Sequence, residues 1–519
     1  MSVTIQHTAV ELDQMIQAYQ QQQPTEFLLK VTHYKTALKK QLNLENKFVV
    51  LSGHQPIFFH PGILAKDELA QSIAKLYNGI AVSLILDIDQ ESIDFSYPSR
   101  GAVKKTLPLS NENRIINAQK LNQTKRLQLL NAIDQSLTEL SATLTPVAAE
   151  RSRPYLFHLR ETVKSTNELI RITNSVREFH AKQKGWNVKY VQTSELILSD
   201  AFQFLATTVF ERSSEFRNLF NDTLSNYREL HNIKNHAQPF PNLNEDELPF
   251  WIVDKSGARR HLTDQDIEKS GFFSAGNASS DYLNLFKEGR ILPKAITLSM
   301  FLRMFICDIM IHGTGGSRYD QITEIVGNKF FGCLSAPITV STATLRLPAR
   351  ADFPIYCYTY EELKSMQRKL KFDPTRFLPV ECPLQEEQRI LIKLRSNLTG
   401  NHQHKSITKI PLLNFNKVRP EFADRIQSLL PRLTQAEENP PALINHEFLR
   451  LRRLAMPYMK QKEKELSALV KRSEKCNHAN KLFSDRTLPF FYYDLTEIES
   501  AVVNFSKARP KPQLVKQSI

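Results

Sequence analysis

Short apolar runs and longer segments with an apolar residue every three or four positions alternate along the chain. Lys47-Phe48-Val49-Val50-Leu51 is a run with β-branched residues that ends in Ser52-Gly53, the pattern of a buried strand and a turn. From Pro61 to Tyr77, the residues Ile63, Leu64, Leu69, Ile73, Ala74 and Leu76 fall at helical spacing, and Gly79 supplies a stop. Ile80-Ala81-Val82-Ser83-Leu84-Ile85-Leu86 is a second run, closed by Asp87-Ile88-Asp89. Strand, helix and strand in about 45 residues make a βαβ unit, which requires a parallel sheet and an α/β fold.

Residues 1–45 read as helical, interrupted by the glutamines 20–23. Residues 111–185 turn polar with leucines at helical intervals, predicting a helical insertion. Asn187 to Val191 returns to the sheet, and Asp200 to Asn235 reads as one or two amphipathic helices. Three prolines, then Phe250-Trp251-Ile252-Val253 and Arg259-Arg260-His261-Leu262, predict a loop and a β-hairpin insertion over about 238–265. Residues 295–311 predict one buried helix running into the glycine loop His312-Gly313-Thr314-Gly315-Gly316, with a further helix marked by Tyr319, Ile322, Ile325 and Val326. Pro337 to Leu345 predicts the last core strand.

A chain of 519 residues has room for about three folding units, or for one large α/β core with insertions. With 41% hydrophobic and 24% charged residues, it is neither disordered, collagenous nor a membrane bundle. The net charge of +14 favours anions: phosphorylated metabolites, nucleotides, nucleic acid or acidic lipid. Half of that excess lies in residues 441–519, with 15 Lys and Arg against 8 Asp and Glu, where a solvated basic helix pair is the plain account. The opening MSVTIQHTAVELDQM carries acids where a signal peptide needs basic and then apolar residues, and nowhere do about twenty apolar residues run together. A cytoplasmic protein without a membrane partner is expected. Five scattered cysteines with no CxxC pair argue against disulfides and structural zinc, and no metal site is expected.

The candidate chemistry gathers in three places. Gly53, His54, Gln55, His60 and Gly62, with Lys66 a turn further on, lie between a strand and a helix, where open α/β sheets bind ligands and unpaired N–H groups face an anion. His54 and His60 there either donate to phosphate oxygens and shuttle protons, or cap the turn and pack on Phe58 and Phe59. Asp87 and Asp89 at the next strand end can hold Mg²⁺ or an ammonium group, serve as bases, or belong to a solvated loop. In the third place, Gly313, Gly315 and Gly316 allow close backbone approach and an anion-binding nest, flanked by His312, Tyr319 and Asp320; a tight connection is the alternative. Lys294 and Arg303 either bring charge to a phosphate or, for Arg303, pair with an acid such as Asp308. Arg259, Arg260 and His261 read as solvent-facing, and Phe490-Phe491-Tyr492-Tyr493 as an anchor of the terminal segment rather than a stacking surface for nucleic acid.

Taken in order, S-G-H-Q-P-I-F-F-H-P-G with Lys66, the acidic strand end from Asp87 to Asp94, L-P-K at 292–294 and H-G-T-G-G-S-R-Y-D at 312–320 resemble the bacillithiol-biosynthesis family of cysteine-adding ligases, BshC. The likeness spans about residues 45–345; Gly53, Gln55, Lys66, Gly313, Gly316 and Tyr319 match best, whereas His54 and His60 differ from the family's loop. His60-Pro61-Gly62-Ile63 also resembles the HIGH signature of the class I nucleotidyltransferases and aminoacyl-tRNA synthetases, with Ile63 in place of the last His and no KMSKS-like loop. The resemblance implies a Rossmann-like core over 46–350, an N-terminal helical segment 1–45, a connecting region 351–436 and a basic, coiled-coil-like helical region 437–519. It implies a ligase joining an amino acid, or a similar carboxylate, to the amine of a small anionic acceptor, with ATP and Mg as cofactors. His54, His60, Asp87 and Asp89 are then the catalytic candidates. A nucleic-acid- or tRNA-binding protein, and a silent scaffold dimerising through its C-terminal helices, stay open as alternatives.

Overall fold

The computed structural model describes residues 2–100, 103–110, 115–254, 258–271, 280–348, 360–378, 381–399, 415–433, 440–475 and 482–508. Val49, Val50 and Leu51 are fully buried because their strand, β2 (Val49–His54), lies inside a sheet covered on both faces. The sheet has six strands in the order β1 (Ser2–Ile5), β11 (Ile338–Thr344), β10 (Ile309–His312), β2, β3 (Ile80–Ile85) and β6 (Val188–Gln192). All neighbours run parallel except β1, which pairs antiparallel with β11 at the edge. The order reverses at β2, which goes on to β3 and β6 on one side and to β10 and β11 on the other. This is the Rossmann-like arrangement, and its switch point lies between β2 and β10.

Two helices, α1 (Ala9–Gln20) and α2 (Glu26–Gln41), precede β2, and α3 (Pro61–Leu76) crosses from β2 to β3. A hairpin, β4 (Asp94–Ser99) and β5 (Val103–Pro108), and the helices α4 (Gln123–Thr143), α5 (Pro146–Ser165) and α6 (Leu169–Gln183) follow before β6. Next come α7 (Thr193–Leu196), α8 (Asp200–Glu211) and α9 (Ser213–Leu230), and then an antiparallel sheet in the order β8 (Arg259–Thr263), β7 (Glu247–Val253) and β9 (Ile291–Pro293). Between β8 and β9 lie α10 (Asp264–Lys269) and α11 (Ser280–Lys287); α12 (Ala295–Phe305) leads to β10, and α13 (Thr314–Phe331) to β11.

Three expectations change. Residues 2–5 form strand β1, so the N-terminal segment is not wholly helical. The apolar stretch 295–311 is helix α12 and then strand β10: Cys307-Asp308 breaks it, and the Asp308 carboxylate accepts from Val49 N at 2.8 Å and so ties β10 to β2. Gly315 and Gly316 are in the first turn of α13 rather than in a loop.

The contacts divide the chain into two compact units, residues 1–351 with 482–519, and residues 352–481. The division therefore cuts across the expected region 437–519. Phe490, Phe491, Tyr492 and Tyr493 are buried in the first unit, where Phe490 N donates to Phe59 O at 2.7 Å, and the helix Thr496–Lys507 packs on α3. In the second unit the helices Tyr360–Phe372, Pro383–Thr399, Pro420–Leu433 and Pro440–Lys475 surround a core that includes Leu363, Leu391, Phe422, Ile426 and Ile444. No helix among the described residues is long and apolar enough to cross a membrane.

Candidate functional site

Strands β2 and β10 pair through Val50–Ile309 and Leu51–Met310, and then run on to His54 and His312. Above the last pair a cavity of about 650 Å³ opens at the carboxyl ends of the strands, the position the switch point favours for a ligand. Of the residues singled out in the sequence, Gly53, His54, Gln55, Lys66, Asp89, Lys294, His312, Gly313, Gly315 and Gly316 line it. The segments around residues 53–66 and 312–316, some 250 positions apart, share this one space.

Lys66 projects from α3 and donates to Gly53 O at 2.5 Å. Burial pulls its pKa down to about 8; the Asp67 carboxylate opposes the shift and the Arg177 guanidinium adds to it. Asp67 is already committed: it accepts from Ser52 Oγ at 2.6 Å, Ser83 Oγ at 3.2 Å and Arg177 at 3.0 Å. His54 is held neutral, its pKa pushed to about 3 by burial and by Lys66.

His312 Nε2 lies 3.2 Å from Asp320 Oδ2. Burial works against ionisation of Asp320, yet His312 and the Arg303 guanidinium hold its carboxyl at about 2. An ionised carboxylate only accepts, so Nε2 carries a proton, and in the neutral imidazole Nδ1 is then the acceptor. Gly316 keeps that atom clear, because a Cβ there would stand 2.7 Å from Nδ1. Arg303 is fully buried and pairs with Asp320 and Glu324, each at 2.9 Å, not with Asp308, which takes Lys35 and Lys39. Arg303 and Asp320 thus support His312 from below the cavity.

The two crossover helices present different N-termini. In α3, Pro61 has no N–H and the His60 imidazole accepts from Gly62 N at 3.1 Å, so this end is closed. In α13, Gly313 is the cap residue and offers no side chain, and around Gly313 and Gly315 nothing stands within 4 Å of the place a Cβ would take. The first-turn amides of α13 therefore face an open approach, with the positive end of an 18-residue helix behind them. The N-terminus of α12 at Lys294 likewise has no side-chain cap.

The wall across from these strands comes from the three-stranded sheet. Asp89 accepts from Gln55 at 3.0 Å and from Arg259 at 2.9 Å. Glu247 is bound by Lys294 and, at 2.7 Å, by His261; burial raises its pKa, but the Lys294 ammonium outweighs that and leaves the carboxyl below its ordinary range. Arg259 and Lys294 each sit 4.8 Å from the centre of the Trp251 ring. Trp251 and Glu247 are cavity residues not singled out in the sequence, and Arg259 and His261, expected to face solvent, line the cavity as well. Trp251 pairs with His261, and Val253 with Arg259, so period-two alternation sets all three polar or aromatic side chains on one face.

Six sequence candidates do not line the cavity: Arg303 and Asp320, which stand behind His312, and four that lie elsewhere. His60 is the α3 cap, with its pKa lowered to about 4 by burial and by Arg486. Gly62 is a packing glycine, since a Cβ would meet Ala343 O at 2.8 Å. Asp87 is wholly buried and accepts from Ser194 N at 2.9 Å and from its hydroxyl, fixing the end of β3 to α7; burial raises its pKa. Tyr319 packs on Phe240, ring centres 5.3 Å apart. None of Arg303, Asp320, His60, Gly62, Asp87 and Tyr319 lines the cavity.

No protein-family model matches the chain, and no curated protein does. Solved structures similar to it include tyrosyl-tRNA synthetase complexed with L-tyrosine from Archaeoglobus fulgidus, at 10% identity over 87% of this chain and 99% of that one, with a TM-score of 0.20. Plasmodium falciparum tryptophanyl-tRNA synthetase is similar at 10% identity over 93% of this chain and 98% of that one, with a TM-score of 0.22. At such scores the likeness carries no argument about chemistry, which rests on the cavity itself.

Proposed function

We propose that the cavity is the active site of a ligase that joins the carboxylate of an amino acid to the amine of a small anionic acceptor, the chemistry of the BshC family, with ATP as the activating substrate. One observation carries the reading: a buried ammonium, an uncapped helix N-terminus and an imidazole backed by an ionised carboxylate meet in one cavity at the switch point. Acyl transfer develops negative charge on the carbonyl oxygen, and Lys66 with the α13 amides is suited to stabilise it. His312 Nδ1 is the acceptor for the proton that the attacking amine loses. Asp89, gripped by Gln55 and Arg259, and Glu247, gripped by Lys294 and His261, are fixed acceptors for an ammonium group.

A triphosphate suits the same place, because the open space over Gly313 and Gly315 lets phosphate oxygens approach the α13 amides and Lys66 supplies charge. ATP, when bound, supplies the activation that makes a carboxylate an acylating agent. No group of three or more His, Cys, Asp or Glu is gathered for a metal among the described residues, so magnesium enters this reading on the nucleotide's phosphates. Nucleotide calorimetry and pyrophosphate exchange on the full chain test the proposal. Exchange that requires an added amino acid is expected; absence of both nucleotide binding and exchange overturns it.

A further inference from the structure

The cavity is larger than an anion needs. At ~30 Å³ per water, its 650 Å³ equals the volume of about twenty waters, and a phosphate or carboxylate displaces only a few of them. Beyond the polar groups, the lining includes Phe220, Phe240, Leu243, Leu298 and Leu302. Phe220, Leu243 and Leu302 are core residues that nonetheless give onto the space. The Phe220 and Phe240 rings are 6.1 Å apart, and Leu298 and Leu302 stand one turn apart on α12.

Part of this wall belongs to the segment between α9 and β7, yet it is not loose. Arg228 donates to Gln238 O at 2.9 Å, to Phe240 O at 2.5 Å and to Asn242 Oδ1 at 2.5 Å. Asn221 exchanges two hydrogen bonds with the Leu243 backbone, both at 3.0 Å. The apolar surface is therefore fixed before any ligand arrives. Water against it has few polar partners, and an apolar group that displaces that water gains affinity.

Resting on the ligase reading of the same site, we propose that this wall is an apolar subsite: the carboxylate substrate carries an apolar body of several carbons that lies on Phe220, Phe240, Leu243, Leu298 and Leu302. A small side chain such as that of alanine or cysteine leaves the wall wet, and selectivity therefore runs toward the longer, more apolar amino acids.

The test is calorimetry on the full chain with inorganic phosphate and with the series alanine, 2-aminobutyrate, norvaline and norleucine. Affinity should rise about fourfold per methylene. Leu298→Trp should flatten that series and leave the affinity for phosphate unchanged; should that variant not fold, Phe240→Ala should weaken norleucine about tenfold with phosphate again unaffected. A flat series in the wild type with phosphate binding intact overturns the apolar subsite and leaves the ligase reading standing. A rising series that neither variant alters overturns the assignment to this wall. Loss of phosphate and amino-acid binding alike overturns both.

Discussion

Replacing Lys66 with methionine keeps the buried stem and removes the ammonium. An ammonium held at about 8 instead of 10.5 is disfavoured by about 3 kcal/mol in the folded protein, and the lost hydrogen bond to Gly53 O returns about 1 kcal/mol. Lys66→Met should therefore gain about 2 kcal/mol of stability at pH 7. The folded-state pKa lies below the unfolded one, so the unfolded wild type binds more protons between about 8 and 10.5 and its stability rises with pH across that window. The variant lacks that rise, and its advantage fades as the pH approaches 10.5. Phosphate binding should move the other way, weakening roughly 10- to 150-fold through loss of one charge-assisted hydrogen bond. Urea unfolding at pH 7 and pH 10.5, with phosphate calorimetry at pH 7, reads both quantities. A variant less stable than wild type at pH 7 that binds phosphate as before would refute the reasoning and make Lys66 a structural group.

Asp320→Asn removes the negative charge that backs the His312 proton and leaves Glu324 as the one anionic partner of Arg303 among the described residues; about 3–5 kcal/mol of stability should be lost, and pyrophosphate exchange should fall about 100-fold or more, checked by unfolding and exchange assays. Gly316→Ala places a Cβ 2.7 Å from His312 Nδ1, so exchange should drop at least about tenfold although alanine favours the helix by up to ~1 kcal/mol. His60→Asn keeps a capping oxygen at the start of α3; stability within about 1 kcal/mol of wild type and unchanged phosphate affinity are expected. Wild-type phosphate affinity should decline as the pH rises above about 8, where Lys66 loses its proton, and calorimetry across pH 7 to 10 checks the direction.

The β2–α3–β3 unit was legible because its strands are continuous apolar runs and its helix keeps one periodicity. Strand β10 was not: Ile309-Met310-Ile311 prolongs the apolar helix before it, and no period separates three apolar residues in a strand from another helical turn. What reveals the strand is Asp308 binding the β2 backbone, a contact between positions 259 apart. The glycines at 313–316 and the histidine before them were visible as a motif, but the roles of Asp320 and Arg303 depend on burial, which a sequence does not show. Likewise His54 and His60 look equivalent in sequence, while the proline after His60 turns that residue into a helix cap. Arg259 and His261 read as solvated charges because their partners, Asp89 and Glu247, come from other segments.

The most direct measurement is a crystal structure of the full chain soaked with pyrophosphate. An anion bonded to the Lys66 ammonium and the Thr314–Gly316 amides is the expected result. Density for the anion at another place, with the space between β2 and β10 left to water at millimolar pyrophosphate, would contradict a shared anion site at these two strand ends.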